Sequence, residues 1–187
     1  LLVLAVKPNV QSEVIREIRE SVLCAKELCV ISITAGRTVD QIYSDFGAAV
    51  PLVRVMPNVN AQIGKSMSAL CPMGTTDEQL AAARKLLDSV GQTIVLDEKY
   101  FPVFTAIASS SPAWIFRMID AMAEAGVNHG LTKADSTRIV AQAFAGSAQL
   151  LLGGLDNGKV PANFIDRVSS PGGTTIAGLL AAQEAGL

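Results

Sequence analysis

The chain has 187 residues, half of them hydrophobic and only 5% aromatic, enough to bury an aliphatic core in one domain or two small ones. Fifteen Lys and Arg against 17 Asp and Glu leave a formal charge of −2 with no basic cluster, which argues against nucleic acid as a partner. No apolar run reaches the roughly 18 residues of a membrane span, and Leu1 to Val6 is short and lacks the charged flank of a secretory signal.

The chain has no initiator Met and opens inside a strand-like run, which reads as a fragment or as the ordered part of something longer. Leu1 to Val6 predicts a buried strand stopped at Lys7-Pro8, because proline disfavours continuation. Val10, Val14 and Ile18 then recur at helical spacing. Val30 to Thr34 predicts the next strand, ending at Ala35-Gly36, with a short helix around Val39 to Phe46. A strand over Leu52 to Met56 is stopped by Pro57, and another covers Ser66 to Cys71. Thr75 and Glu78 read as a capping box that opens a helix with Leu80, Ala83 and Leu87 on one face, ending near Gly91. Thr93 to Leu96 returns as a strand. This alternation predicts an α/β layer with a largely parallel sheet.

From Asp97-Glu98 onward only helix patterns remain. Breaks are expected at Ser109-Ser110-Ser111-Pro112, at Gly126 to Gly130, at Gly153-Gly154 and at Pro171-Gly172-Gly173. Thr132 to Asp135 caps a long helix through Ile139, Ala143, Phe144 and Leu151. Small residues (Ala121, Ala123, Ala125, Ala141, Ala145, Gly146, Ala148) are dense here and permit close helix approach, so this half is suited to packing against a second copy. The boundary between the halves falls near residue 97, giving domains 1–97 and 98–187.

Cys24, Cys29 and Cys71 are odd in number and lack Cys-x-x-Cys spacing, so they read as buried thiols in a reducing cytoplasm, with no metal site. His129, the sole histidine, reads as a loop residue near a helix end, which leaves little room for a Ser-His-Asp triad. The richest local feature is Ser169-Ser170-Pro171-Gly172-Gly173-Thr174-Thr175, followed by the helical run Ile176 to Leu180. Its proline and glycines shape a turn, and Thr174 or Thr175 supplies a hydroxyl where a helix begins. Free N–H groups and hydroxyls then aim along the helix axis, a seat for a small carboxylate or phosphate.

Five landmarks occur in one order: Ala5-Val6-Lys7-Pro8, Ile33-Thr34-Ala35-Gly36, Arg54-Val55-Met56-Pro57-Asn58, Ser111-Pro112-Ala113, and Ser170-Pro171-Gly172-Gly173-Thr174-Thr175. Over essentially its whole length the chain resembles pyrroline-5-carboxylate reductase, the last enzyme of proline synthesis. The resemblance implies a Rossmann-like dinucleotide-binding domain, incomplete at its N-terminus, followed by an all-helical domain that dimerises with a partner subunit. It implies reduction of the cyclic imine 1-pyrroline-5-carboxylate to L-proline with NADPH or NADH, in the cytoplasm, by a homodimer or a larger assembly of dimers. Carried over by position, Ala5, Val6, Lys7 and Pro8 line the cofactor, and Ala35 and Asn58 lie near its nicotinamide end. Gly172, Gly173, Thr174 and Thr175 hold the substrate carboxylate, with Thr175 as the hydroxyl most important to catalysis.

The chain departs from the family in places. The glycine-rich phosphate loop would lie upstream of Leu1. The family usually reads Ser-Gly-Ser-Gly-Pro-Ala where this chain has Ala108-Ser109-Ser110-Ser111-Pro112-Ala113, so serines 109 and 111 replace glycines and could crowd a backbone approach. Val59-Asn60 replaces the commoner Thr-Pro. Hydride transfer to an electrophilic ring imine needs placement more than a strong general acid, which suits a chain with one histidine and no evident carboxylate pair. Two alternatives stay open: a reductase of another cyclic imine, and a non-catalytic relative acting as a dimerising scaffold or regulator. Singly, Lys7 also reads as an exposed charge, Pro8 and Pro57 as strand terminators, and Asn58 as a cap.

Overall fold

The computed structural model describes residues 1–186 and divides the chain into two units, one of Leu1–Ile115 and one from Phe116 onward. The first is built on a five-stranded sheet of β1 (Leu2–Leu4), β2 (Val30–Ser32), β3 (Leu52–Met56), β4 (Ser66–Met73) and β5 (Gly91–Val95), ordered β1-β2-β3-β4-β5. Pairing is parallel except between β3 and β4, where Met56 lies opposite Ala69 and Leu52 opposite Met73. The exception follows from chain length. The link between β3 and β4 holds one 3-10 turn (Val59–Ile63) and is shorter than the roughly dozen residues that a parallel crossover needs.

Alternating strand residues feed two faces. On one face α1 (Gln11–Cys24) and α2 (Val39–Phe46) bring Ile15, Val22, Ile42 and Phe46 onto Leu4, Val30 and Leu52. On the other, α3 (Asp77–Asp88) packs Ala83 and Leu87 against Ile31, Val53, Val55 and Leu70. A short helix α4 (Phe101–Phe104) places Phe101 and Phe104 with Ala69 and Cys71.

Several boundaries differ from the sequence reading. β1 stops at Leu4, although Ile33 N still donates to Leu4 O at 3.1 Å. The capping box sits one residue later than Thr75 and Glu78: Thr76 Oγ1 accepts from Gln79 N at 3.2 Å, and Gln79 Oε1 accepts from Thr76 N at 3.0 Å. In that register Gln79 Nε2 also reaches Glu27 O at 3.2 Å, tying α3 to the loop before β2. The expected break at Ser109 to Pro112 is absent. The chain passes from α4 through a π turn (Thr105–Ser110) into α5 (Ser111–Asn128), where Pro112 occupies the first turn and its missing N–H is tolerated. Cys29 and Cys71 are buried, but Cys24 is exposed at the end of α1.

The second unit is helical, as the periodicity predicts. Beyond α5 come α6 (Lys133–Leu155), α7 (Pro161–Val168) and α8 (Thr174–Glu184). Thr132 caps α6, its Oγ1 accepting from Asp135 N at 3.1 Å. His129 follows the last residue of α5, and its N–H bonds Gly126 O at 3.1 Å. Gly153-Gly154 lies inside α6 and breaks nothing. A Cβ at Gly154 would stand 2.6 Å from the Phe164 ring, so glycine there serves close approach of α7. Phe116, Met122, Leu150 and Leu152 leave much apolar surface exposed on this unit. No helix among the described residues is long and apolar enough to cross a membrane.

Candidate functional site

β1, β2 and β3 run side by side in one direction, so the residues that follow them meet at one end of the sheet. In open α/β sheets that end is where ligands bind. The structure places Ala5, Val6, Lys7 and Pro8 there after β1, Ala35 and Gly36 after β2, and Pro57 and Asn58 after β3. Ala5, Lys7, Pro8 and Ala35 are exposed, whereas Val6 and Asn58 are half-buried. Thr34 Oγ1 donates to Val6 O at 3.3 Å and ties the first two loops together. Gly36, at φ +74°, has open space where a Cβ would stand.

Ala35 and Gly36 border a cleft of about 660 Å³ that Arg54, Met56 and Glu98 also line. The sequence reading passed over Arg54 and Glu98 as site residues. Arg54 Nη1 donates to Glu98 Oε1 at 2.6 Å, and the Arg54 guanidinium lies 4.4 Å from the centre of the Phe101 ring. The same carboxylate oxygen accepts from Val39 N at 2.7 Å, placing negative charge at the start of α2. A signal was available: an arginine inside an apolar strand needs a counter-charge, and Asp97-Glu98 is the acidic pair at the change of texture.

Asn58 is engaged on every side. Its N–H donates to Ser66 Oγ at 3.2 Å, its Oδ1 accepts from Asn60 N at 3.1 Å, and its Nδ2 donates to Ala108 O at 3.0 Å. The last contact has a covalent origin. Pro112 has no N–H with which to bond the carbonyl four residues back, so Ala108 O is left for Asn58. Ser109 Oγ donates to Pro57 O at 3.0 Å and Ser111 Oγ to Ala108 O at 3.4 Å, so both serine hydroxyls serve backbone carbonyls, one distant in sequence and one local. Asn58 and Ala108 also line a separate apolar cavity of about 610 Å³ with Val103, Phe104 and Ile107.

Gly172 to Thr175 belong to the second unit. Gly172 takes φ +67°, a conformation natural to glycine. Gly173 caps α8 in an extended conformation, and its N–H bonds Ser170 O at 3.0 Å. Neither threonine is the cap, contrary to the sequence reading. A Cβ at position 173 would meet Ser170 Oγ at 2.5 Å and Ser170 O at 3.1 Å, so a larger residue there would have to turn the serine hydroxyl aside. Thr174 and Thr175 become the first helical residues, exposed, on the turn whose backbone N–H groups lack intrahelical acceptors.

The model of the pyrroline-5-carboxylate reductase dimerisation family matches residues 98–187. A pyrroline-5-carboxylate reductase from Aquifex aeolicus is 35% identical over all of this chain and 68% of its own length. The chain belongs to the pyrroline-5-carboxylate reductase family. A solved reductase of this family from Streptococcus pyogenes is 39% identical, with a TM-score of 0.83 over 98% of this chain and 68% of its own. The Plasmodium falciparum pyrroline carboxylate reductase, solved with NADP bound, is 26% identical with a TM-score of 0.84, covering 98% of this chain and 68% of that one. The chain spans about two thirds of the length of the curated relatives it matches, 64% for a Bacillus subtilis reductase and 68% for that of Aquifex aeolicus. Family membership fits the α/β unit followed by helices, and the dimerisation model covers the half whose apolar surface is exposed.

Proposed function

We propose that the protein carrying this chain reduces 1-pyrroline-5-carboxylate to L-proline with NADPH or NADH. The observation that carries this reading is the family match over the entire chain, strand-end loops and Pro-Gly-Gly-Thr-Thr loop together. The residues at this end of the sheet suit a nicotinamide cofactor. Ala5 and Ala35 are small and exposed, and the space beside Gly36 is open, so a flat ring can approach the backbone. Ala5, Val6, Lys7 and Pro8 would line the cofactor, and Ala35 and Asn58 would flank its nicotinamide end. The cofactor supplies the hydride, and the protein's contribution is alignment.

In the second unit, Gly172, Gly173, Thr174 and Thr175 hold the substrate's carboxylate. Backbone N–H groups at the start of α8 and the Thr175 hydroxyl supply charge-assisted hydrogen bonds of about 1.5–3 kcal/mol each. Residues 98–187 serve as the dimerisation and substrate-binding part, in a cytoplasmic homodimer or an assembly of dimers. Ser109 and Ser111, the residues that spoke for a non-catalytic relative, spend their hydroxyls on Pro57 O and Ala108 O, which supports the enzyme reading.

The test is oxidation of NADPH and NADH by the full protein with 1-pyrroline-5-carboxylate. Imine-dependent turnover is the expected result. Its absence with both cofactors would overturn the assignment, and turnover restricted to a different cyclic imine would redirect it.

A further inference from the structure

Two peptide units far apart in sequence are clasped together. Asn58 Nδ2 donates to Ala108 O and Ser109 Oγ donates back to Pro57 O, each at 3.0 Å. The bonds run in opposite directions between residues 57–58 and residues 108–109, and both are partly buried. Asn58 has no slack elsewhere, since its N–H, its Oδ1 and its carbonyl, which accepts from Ala61 N at 3.1 Å, are also bonded. The Pro57 carbonyl belongs to the peptide bond that carries the Asn58 N–H, so rotation of that unit swings Asn58. The half of the clasp that Ser109 supplies depends on its hydroxyl, the one donor on that side chain.

We propose that Ser109 is a positioning residue: by holding the Pro57 carbonyl it fixes Asn58 in the orientation that aligns the nicotinamide end of the cofactor seat. This rests on the reductase reading given above. Ser109 commits its hydroxyl to the Pro57 carbonyl, so it acts through Asn58. Loss of one bond of this kind lowers kcat by about three- to tenfold. It leaves the KM for the imine unchanged, because the carboxylate seat lies in the loop at Gly172 to Thr175.

The experiment compares the full protein with its Ser109→Ala and Ser109→Thr variants. Steady-state kinetics are measured with NADPH and 1-pyrroline-5-carboxylate, and the Asn58 side-chain amide is followed by NMR in ¹⁵N-Asn-labelled protein, assigned by its loss in Asn58→Asp. The proposal expects the Asn58 amide signal to move in Ser109→Ala with the predicted fall in kcat, and both to recover in Ser109→Thr, which keeps the hydroxyl. An unmoved amide signal overturns it whatever the activity. An unchanged kcat in an active Ser109→Ala variant, or a loss that Ser109→Thr does not rescue, overturns it and leaves the reductase reading standing. A wild type without turnover overturns the reductase reading and the positioning role that rests on it.

Discussion

Glu98 holds the Arg54 guanidinium at 2.6 Å and, with the same oxygen, takes the Val39 N–H. One carboxylate thus joins a sheet strand to the first turn of α2. Glu98→Ala would leave an arginine side chain that is 11% exposed without its counter-charge, and a helix N–H without its acceptor. We expect a stability loss of about 1.5–3 kcal/mol, read as a lower urea midpoint at unchanged slope. Glu98→Gln keeps an acceptor and should lose less. Equal midpoints for wild type and Glu98→Ala would refute the account.

Thr175→Val removes a hydroxyl from the first turn of α8 and keeps the side-chain shape. The KM for 1-pyrroline-5-carboxylate should rise about tenfold or more, with a far smaller change for the nicotinamide cofactor. An unchanged imine KM would remove Thr175 from the carboxylate seat.

Gly91 opens β5 against Ser66, and a Cβ there would stand 2.1 Å from the Ser66 carbonyl oxygen. The obstacle is backbone and cannot swing aside. Gly91→Ala should cost about 3 kcal/mol or more. Gly154→Ala meets the end of a phenylalanine ring, which can shift, and should cost less. Thermal melts of the two variants give the comparison, and the reverse order would contradict it.

The three cysteines should separate by reactivity. Burial pushes the Cys29 and Cys71 thiols up, and at Cys71 the Glu98 carboxylate adds to the effect. Cys24 is exposed. A thiol reagent at pH 8 should therefore modify Cys24 alone in the native protein and all three in denaturant. Peptide mapping that finds Cys29 or Cys71 labelled natively would count against the packing described.

The sequence conveyed the architecture well where one physical signal dominates. Pro57 marks the end of β3, and the switch from alternating to purely helical patterns at Asp97-Glu98 is real. It misled where a residue type has two uses. Gly154 looks like a breaker and is a close contact, and Thr75 competes with Thr76 for a cap that Gln79 decides through its reach to Glu27. Pro112 looks like a stop, yet a first-turn proline continues a helix. What it deletes is one N–H, and that vacancy recruits Asn58 across a gap of fifty residues. Long-range partnerships such as Arg54 with Glu98 leave only half a signal in the chain, an unpaired charge in an apolar strand.

The strand order also bears on how the molecule is made. Each strand of the sheet neighbours the one before it in the chain, from β1 to β5. As the polypeptide leaves the ribosome, each strand from β2 to β5 finds the strand it follows already synthesised. Growth by accretion keeps loop closures short and shields strand edges, the exposed features that most often lead to aggregation. The order of the sheet is thus also a schedule for its assembly.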